Sequence, residues 1–295
     1  MHRSSRAIGV HVMKLNAYAK INLTLEVLGK RADGFHEVAT VLHTIDLADE
    51  LTFAPAPTLS LAGDDAGTPV EENLVMRAAR LLQQALGEKR GARIVLTKHI
   101  PVAAGLGGGS TDAATTLAGL ARFWERDISV PRLAELAATL GSDVPFFLTG
   151  GAGLGEGRGE IITPLPPMHE TWLVLTTPHV VLDRKTARLY GAMQPSMHTR
   201  GEATRTMAAL LRRGGSVTPN HIFNVFDAVA DDVYPDFRSL RARLADAAGS
   251  AVHLAGSGPT LFTMLASESD AVAVHRRWAT LSAPTYAAKT VAHAA

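Results

Sequence analysis

Four glycines, at 105, 107, 108 and 109, run directly into Ser110, Thr111 and Asp112 and then into an alanine-rich helical pattern. Backbone without Cβ atoms lets several N–H groups close on one point and permits positive φ. A helix start adds unpaired N–H donors and the positive end of a macrodipole, a combination that suits a polyphosphate anion. The stretch Pro101, Val102, Ala103, Ala104, Gly105, Leu106, Gly107, Gly108, Gly109, Ser110, Thr111 is therefore a candidate phosphate loop, in which Ser110 and Thr111 either cap the helix or touch a metal ion. Spacing excludes two familiar classes. No lysine follows Gly109, so this is not a Walker A loop, and Ser110 stands where a dinucleotide fingerprint needs its third glycine. A glycine-rich turn with no ligand is the alternative that glycines alone leave open.

Two charged residues complete a set that could move a proton and a phosphoryl group. Asp143 follows Gly141 and Ser142 just past a predicted helix end, where a short loop can present a carboxylate into a cleft as a base. Lys20 sits on a predicted strand among apolar residues, and a buried lysine is costly unless paired. Taken by type alone, they are equally a turn aspartate and a strand lysine with its charge in water.

The elements that must hold these residues alternate between strand and helix. Residues 14–28 read as a strand with Ile21, Leu23, Leu25 and Val27 on one face and Asn22, Thr24 and Glu26 on the other, so Lys20 and Asn22 share a face. Extended stretches are expected at 38–45 and 50–53, then a loop over 54–69. Helices are expected at 71–86, 111–123 and from Pro131 to Gly141, with a strand at 93–97. The run Gly150 to Gly159 alternates as a hairpin would, satisfies no nucleotide fingerprint and is assigned a structural role. T-P-L-P-P at 163–167 is the best boundary, dividing a domain 13–165 from a domain 166–295 behind a frayed leader, 1–12. Beyond it come a strand at 172–176, helices at 185–193, 205–212 and 235–248, and a strand-turn-strand unit over 251–265. There is no internal repeat.

Composition bounds the function classes. A chain of 295 residues exceeds one typical domain, and its net charge of +1 gives no electrostatic footprint for nucleic acid or a membrane surface. Absence of cysteine excludes a disulfide framework, a thiolate zinc site and a cysteine nucleophile, and fits a reducing, cytoplasmic compartment. No apolar run is long enough to span a bilayer, and the first residues lack the apolar core of a secretory signal.

Five strings in order, A-K-I-N-L (19–23), R-A-D-G-F-H (31–36), E-N-L-V-M-R-A-A-R-L-L (72–82), the glycine loop and L-G-S-D-V-P-F-F (140–147), together resemble the GHMP small-molecule kinase superfamily. The resemblance runs from about Met13 to the G-S-G-P-T-L-F of 256–262, with a diffuse middle from 195 to 250. It implies an α+β fold of two domains, an N-terminal ribosomal protein S5 domain 2-like domain and a C-terminal ferredoxin-like domain, with the active site in the cleft between them. It implies ATP with Mg²⁺, a catalytic pair Lys20 and Asp143, and nucleotide binding by the loop and Asn73. R-A-D-G-F-H resembles the segment that binds a cytidine moiety, which points to a small-molecule acceptor carrying a cytidine diphosphate in isoprenoid precursor synthesis. On that reading Asn22, Phe35, His36, Thr186 and Tyr190 bind the acceptor: His36 on the cytosine edge, Phe35 flanking the ring, Tyr190 stacking from the other side. No residue is assigned to the metal, and the oligomeric state is not indicated. Phe35 replaces the more usual tyrosine, and the loop ends S-T rather than S-S. Asp112 reads as a helix cap, with a water-mediated hold on Mg²⁺ as the alternative. Two competing functions remain open: a homoserine- or mevalonate-type kinase of the same superfamily, and a catalytically silent nucleotide-binding protein.

Overall fold

The spine of the molecule is a long antiparallel pair, β1 (Met13–Lys30) and β2 (His36–Ala54), in register from Met13 opposite Phe53 to Lys30 opposite His36. The computed structural model describes residues 12–63, 68–180, 182–282 and 284–292; apart from Val12, the expected leader lies outside the described residues. The alternation expected along β1 is present, but its polar face is covered as fully as its apolar one: Lys20, Asn22, Thr24 and Glu26 are buried alongside Ile21, Leu23, Leu25 and Val27. Register shifts at Tyr18/Lys20, Asn22/Thr24 and Val27/Gly29 add local twist where those polar side chains cluster.

The separate stretches expected at 38–45 and 50–53 are one strand. Asp49 stands between them within β2, where its buried Oδ1 accepts the backbone N–H groups of His99 (2.5 Å) and Ile100 (2.8 Å). The first sheet runs β3 (Leu59–Gly63), β4 (Ala92–Thr97), β2, β1, β8 (Phe223–Asn224), with the hairpin β5 (Ala152–Glu156) and β6 (Ile161–Leu165) joined to the first half of β2. β3 lies inside the segment expected to be loop; Pro55 and Pro57 fall before it and Pro69 after it, and it pairs parallel with β4 at the sheet edge. Pro164 likewise sits in an edge strand, so the proline-rich break begins after Leu165.

Helices α1 (Leu74–Leu86), α2 (Gly108–Phe123), α3 (Val130–Leu140) and α4 (Val144–Phe147) bury a core of Phe53, Leu82, Leu117, Trp124 and Phe146 against this sheet. α1 begins later than expected because the Asn73 side chain caps it, accepting from the Val75 N–H at 2.9 Å. α2 begins earlier, inside the glycine run.

The second sheet has the order β11 (Thr285–Lys289), β7 (Trp172–Thr176), β10 (Leu261–Leu265), β9 (His253–Leu254), antiparallel throughout. Between β7 and β9 lie α5 (Lys185–Ala192), α6 (Glu202–Arg212), α7 (Asp227–Val233) and α8 (Phe237–Ala248), and α9 (Glu268–Ala279) returns the chain to β11. This is the split β-α-β order of a ferredoxin-like domain. α6 and β8 pack on β1, so a segment from the second half of the chain closes over the first sheet.

Candidate active site

The glycine loop is built from both ends. Gly107, at φ 75°, is the N-cap residue of α2 and makes no side-chain cap bond; Gly108, Gly109 and Ser110 already form the first helical turn. The expectation that Ser110, Thr111 or Asp112 caps this helix is therefore corrected. The first amides of the helix, which have no intrahelical acceptor, border a recess of about 310 Å³, lined by Asn73, Lys98, Pro101 to Gly105, Gly107 to Ser110, and Asp112. Leu106 and Thr111 do not line it; both are buried. The glycines are small partly for the protein's own sake. A Cβ on Gly105 would lie 2.2 Å from the Ala255 carbonyl oxygen, and one on Gly107 would lie 2.6 Å from the Phe147 ring and 3.1 Å from Lys20 Cγ.

Lys98 stands at the back of this recess between two carboxylates, paired with Asp49 and, at 2.7 Å, with Asp112 Oδ2. Asp112 Oδ1 is buried and makes no hydrogen bond among the described residues. Burial raises the Asp112 carboxyl to about 7, with Lys98 opposing and Asp49 reinforcing the shift.

Lys20 and Asp143 meet beside the loop. Lys20 Nζ lies 3.4 Å from Asp143 Oδ2 and donates to Asn22 Oδ1 at 2.7 Å, with the lysine side chain 4% exposed and the aspartate 37%. A solvated strand lysine is thus excluded. Asn22 donates onward to Thr40 Oγ1 (2.8 Å), and Thr40 to the Thr24 carbonyl (2.5 Å), which fixes the amide's orientation. The Lys20 N–H donates to the Leu106 carbonyl at 3.0 Å, coupling β1 to the loop. Asp143 occupies the N-cap position of α4 without making a cap bond, so its carboxylate is not consumed by the helix. The pair lines a second recess of about 310 Å³ that shares Gly105, Gly107 and Ser110 with the first.

A third recess, about 890 Å³, continues from the second through Ser142, Arg158, Thr186 and Tyr190, and holds Phe35 and His36. Phe35, His36, Thr186 and Tyr190 gather here, while Asn22 lines the second recess, and the ring arrangement differs from expectation. His36 and Tyr190 stack on one another, centroids 4.1 Å apart and planes within 10°, while Tyr190 meets Phe226 edge-on at 5.0 Å. Phe35 is 53% exposed, with the Arg158 guanidinium 4.8 Å above its ring. Burial, and then Asp143, push the Tyr190 phenol up to about 12; burial, then His198 and Lys30, pull His36 down. The Thr186 and Ser257 hydroxyls lie 2.9 Å apart, and Lys185 donates to the Gly258 carbonyl, its amine pulled down to about 8 by burial and the charge of Lys20. Arg158, Thr40 and Lys185 were not singled out by sequence. For Arg158 the signal was present: one cation between two glycines at a hairpin tip.

Residues 73–151 match the GHMP kinases N terminal domain and residues 203–282 the GHMP kinases C terminal domain. A 4-diphosphocytidyl-2-C-methyl-D-erythritol kinase of Dehalococcoides mccartyi is 38% identical to this chain over 90% of it and 93% of its own length. One from Pelotomaculum thermopropionicum is 43% identical, covering 89% and 92%. The chain belongs to the 4-diphosphocytidyl-2-C-methyl-D-erythritol kinase family of GHMP kinases. A crystal structure of 4-(cytidine 5'-diphospho)-2C-methyl-D-erythritol kinase superposes with a TM-score of 0.80 at 32% identity, over 94% of this chain and 99% of that one. A homoserine kinase from Cytophaga hutchinsonii, with a TM-score of 0.72 at 18% identity, shares the fold alone. This GHMP kinase accordingly has the two-domain α+β architecture. Asn73, the loop and Asp143 fall inside the N-terminal match, whereas Lys20, Asn22, Phe35, His36, Thr186 and Tyr190 lie outside both matched segments.

Proposed function

We propose that the protein transfers the γ-phosphoryl group of ATP to the 2-hydroxyl of 4-diphosphocytidyl-2-C-methyl-D-erythritol, giving the 2-phosphate and ADP, in the non-mevalonate isoprenoid precursor pathway. The observation that carries this reading is the Lys20–Asp143 pair, 3.4 Å apart, in a recess joined to a phosphate loop on one side and an aromatic recess on the other. We place the division between an ATP-binding domain, 13–165, and a C-terminal domain, 166–295, at the proline-rich segment.

The loop recess fits a polyphosphate, with backbone amides of the α2 start at its wall and the Lys98 ammonium behind them. Asn73, Pro101 to Gly105 and Gly107 to Ser110 would hold the nucleotide, while Leu106 is buried and the Thr111 N–H donates to the Gly107 carbonyl at 2.9 Å. The buried Asp112 Oδ1, without a hydrogen bond among the described residues, fits a water-mediated hold on Mg²⁺, which when bound neutralises charge on the phosphates. Asp143 receives the proton of the acceptor hydroxyl as its oxygen bonds to phosphorus and the bond to ADP breaks. Lys20 positions that carboxylate and offsets negative charge on the transferring group, while Asn22 orients the acceptor. At the far end the His36–Tyr190 stack parts for cytosine, which then lies between Phe35 and Tyr190 with its edge toward His36.

The test is ADP release by the purified protein with ATP and Mg²⁺, offered the cytidylyl substrate, homoserine or mevalonate. Turnover with the cytidylyl substrate alone is expected. Asp143→Asn should lower kcat by about 10²- to 10⁴-fold, and Lys20→Ala by a similar factor. Turnover of homoserine or mevalonate in its place, or an Asp143→Asn variant as fast as the parent, would overturn the reading.

A further inference from the structure

We propose that Arg158 binds the diphosphate of the cytidylyl substrate and so sets the distance between the base recess and the reacting hydroxyl; this rests on the substrate class proposed above. A nucleoside diphosphate ester places two charged phosphates between its base and its alcohol. The protein must meet them between the recess of Phe35 and His36 and the recess of Lys20 and Asp143. Arg158 lines both. Lys20, the cation of the inner recess, is engaged by Asp143 and Asn22, and Lys30 lines the outer recess only.

The local structure presents this arginine as a prepared fork. It occupies the β5–β6 turn between Gly157 (φ 71°) and Gly159 (φ 101°), left-handed positions that glycine adopts without strain. Glu160 anchors it by two bonds, Oε2 accepting from the Arg158 N–H at 2.6 Å and Oε1 from Nε at 3.3 Å. The Phe35 ring supports the guanidinium from one side at 4.8 Å. Its two terminal nitrogens make no hydrogen bond among the described residues, which leaves the planar N–H pair that grips phosphate oxygens bidentately.

The decisive measurement compares cytidine with cytidine diphosphate, which differ by the group Arg158 is assigned to hold. Calorimetric titration is run with a non-hydrolysable ATP analogue occupying the nucleotide recess. The parent protein should bind cytidine diphosphate more tightly than cytidine, and by a margin that shrinks with salt. Arg158→Gln should weaken cytidine diphosphate by about tenfold to a hundredfold while cytidine changes less than twofold, and Arg158→Lys should recover part of the difference. In turnover, KM for the cytidylyl substrate should rise in Arg158→Gln while KM for ATP holds. A Phe35→Leu variant should instead weaken both cytidine ligands together. An undiminished diphosphate preference in Arg158→Gln, or equal losses of cytidine and cytidine diphosphate, overturns the assignment of Arg158 and leaves the proposed function standing. A parent protein that binds neither ligand overturns both.

Discussion

Individual side chains carry this site by being used in pairs. Lys20 was legible as a candidate only through its neighbours: residue type alone favours a solvated lysine, and what buries it, the Leu106 carbonyl and the 256–258 turn, comes from distant segments. Asp112 shows the opposite failure, since its place after a serine and a threonine suggests a cap, yet three-dimensional packing makes it the partner of Lys98. Its carboxyl, raised from 3.8 to about 7 chiefly by burial, has a definite consequence for stability. Between those values the folded protein holds a proton that the unfolded chain has lost. This contribution is therefore fully present below about pH 4 and is lost as pH rises through 7. Asp112→Asn keeps an oxygen for Lys98 and removes the titration. Denaturant unfolding at pH 5 and pH 7.5 should show the variant losing less stability across that interval than the parent; parallel losses would mean that Asp112 is ionised throughout.

Elements were legible wherever local periodicity and local caps decide them. Gly141 ends α3, Gly87 ends α1, and the strand at 172–176 stands as expected, because each signal lies within a few residues of its effect. The elements missed depend on partners far along the chain: β3 exists by pairing with β4 and β8 by pairing with β1. Glycine inside helices makes the same point with a sign attached. Helix propensity says that Gly119→Ala in α2 should stabilise by about 1 kcal/mol. A Cβ there would sit 2.9 Å from both Leu15 Cδ1 and the Phe53 ring, within the helix–sheet contact. Overpacking costs about 1–3 kcal/mol and prevails, so Gly119→Ala should lower the melting temperature. Gly191→Ala in α5, where nothing lies within 4 Å of the added atom, should raise it. A stabilised Gly119→Ala would show that α2 rides further from the sheet than these distances require.

At the scale of the whole molecule the two sheets are joined along β2, and the cleft depends on that seam. The Thr44 carbonyl accepts from the Val291 N–H (3.0 Å), and Asp46 Oδ1 accepts from the Lys289 N–H at 2.8 Å. His43 completes the seam from inside. Its ring is fully buried, with Nδ1 2.9 Å from the Thr44 carbonyl and Nε2 accepting the Met168 N–H at 3.2 Å, at the start of the second half of the chain. Only the neutral ring with its proton on Nδ1 satisfies both contacts. Nothing in V-L-H-T-I marks this histidine, since its partner lies 125 residues away. Burial pulls its pKa from 6.5 down to about 4, against the opposing effect of the Thr44 carbonyl. The unfolded chain takes up a proton below about pH 6.5 that the folded protein refuses until about pH 4. This contribution is thus complete above pH 6.5 and falls by about 3 kcal/mol as the pH drops to 4. That slope opposes the one from Asp112, so the parent's profile alone cannot separate them, but a variant can. His43→Gln, which offers an acceptor without titrating, should be less stable than the parent at pH 7.5 and should lose less stability between pH 6.5 and 4.5, by up to one proton in slope. If parent and variant run parallel over that range, His43 is not the neutral tie between the halves of the molecule, and the acid sensitivity of the seam must come from elsewhere.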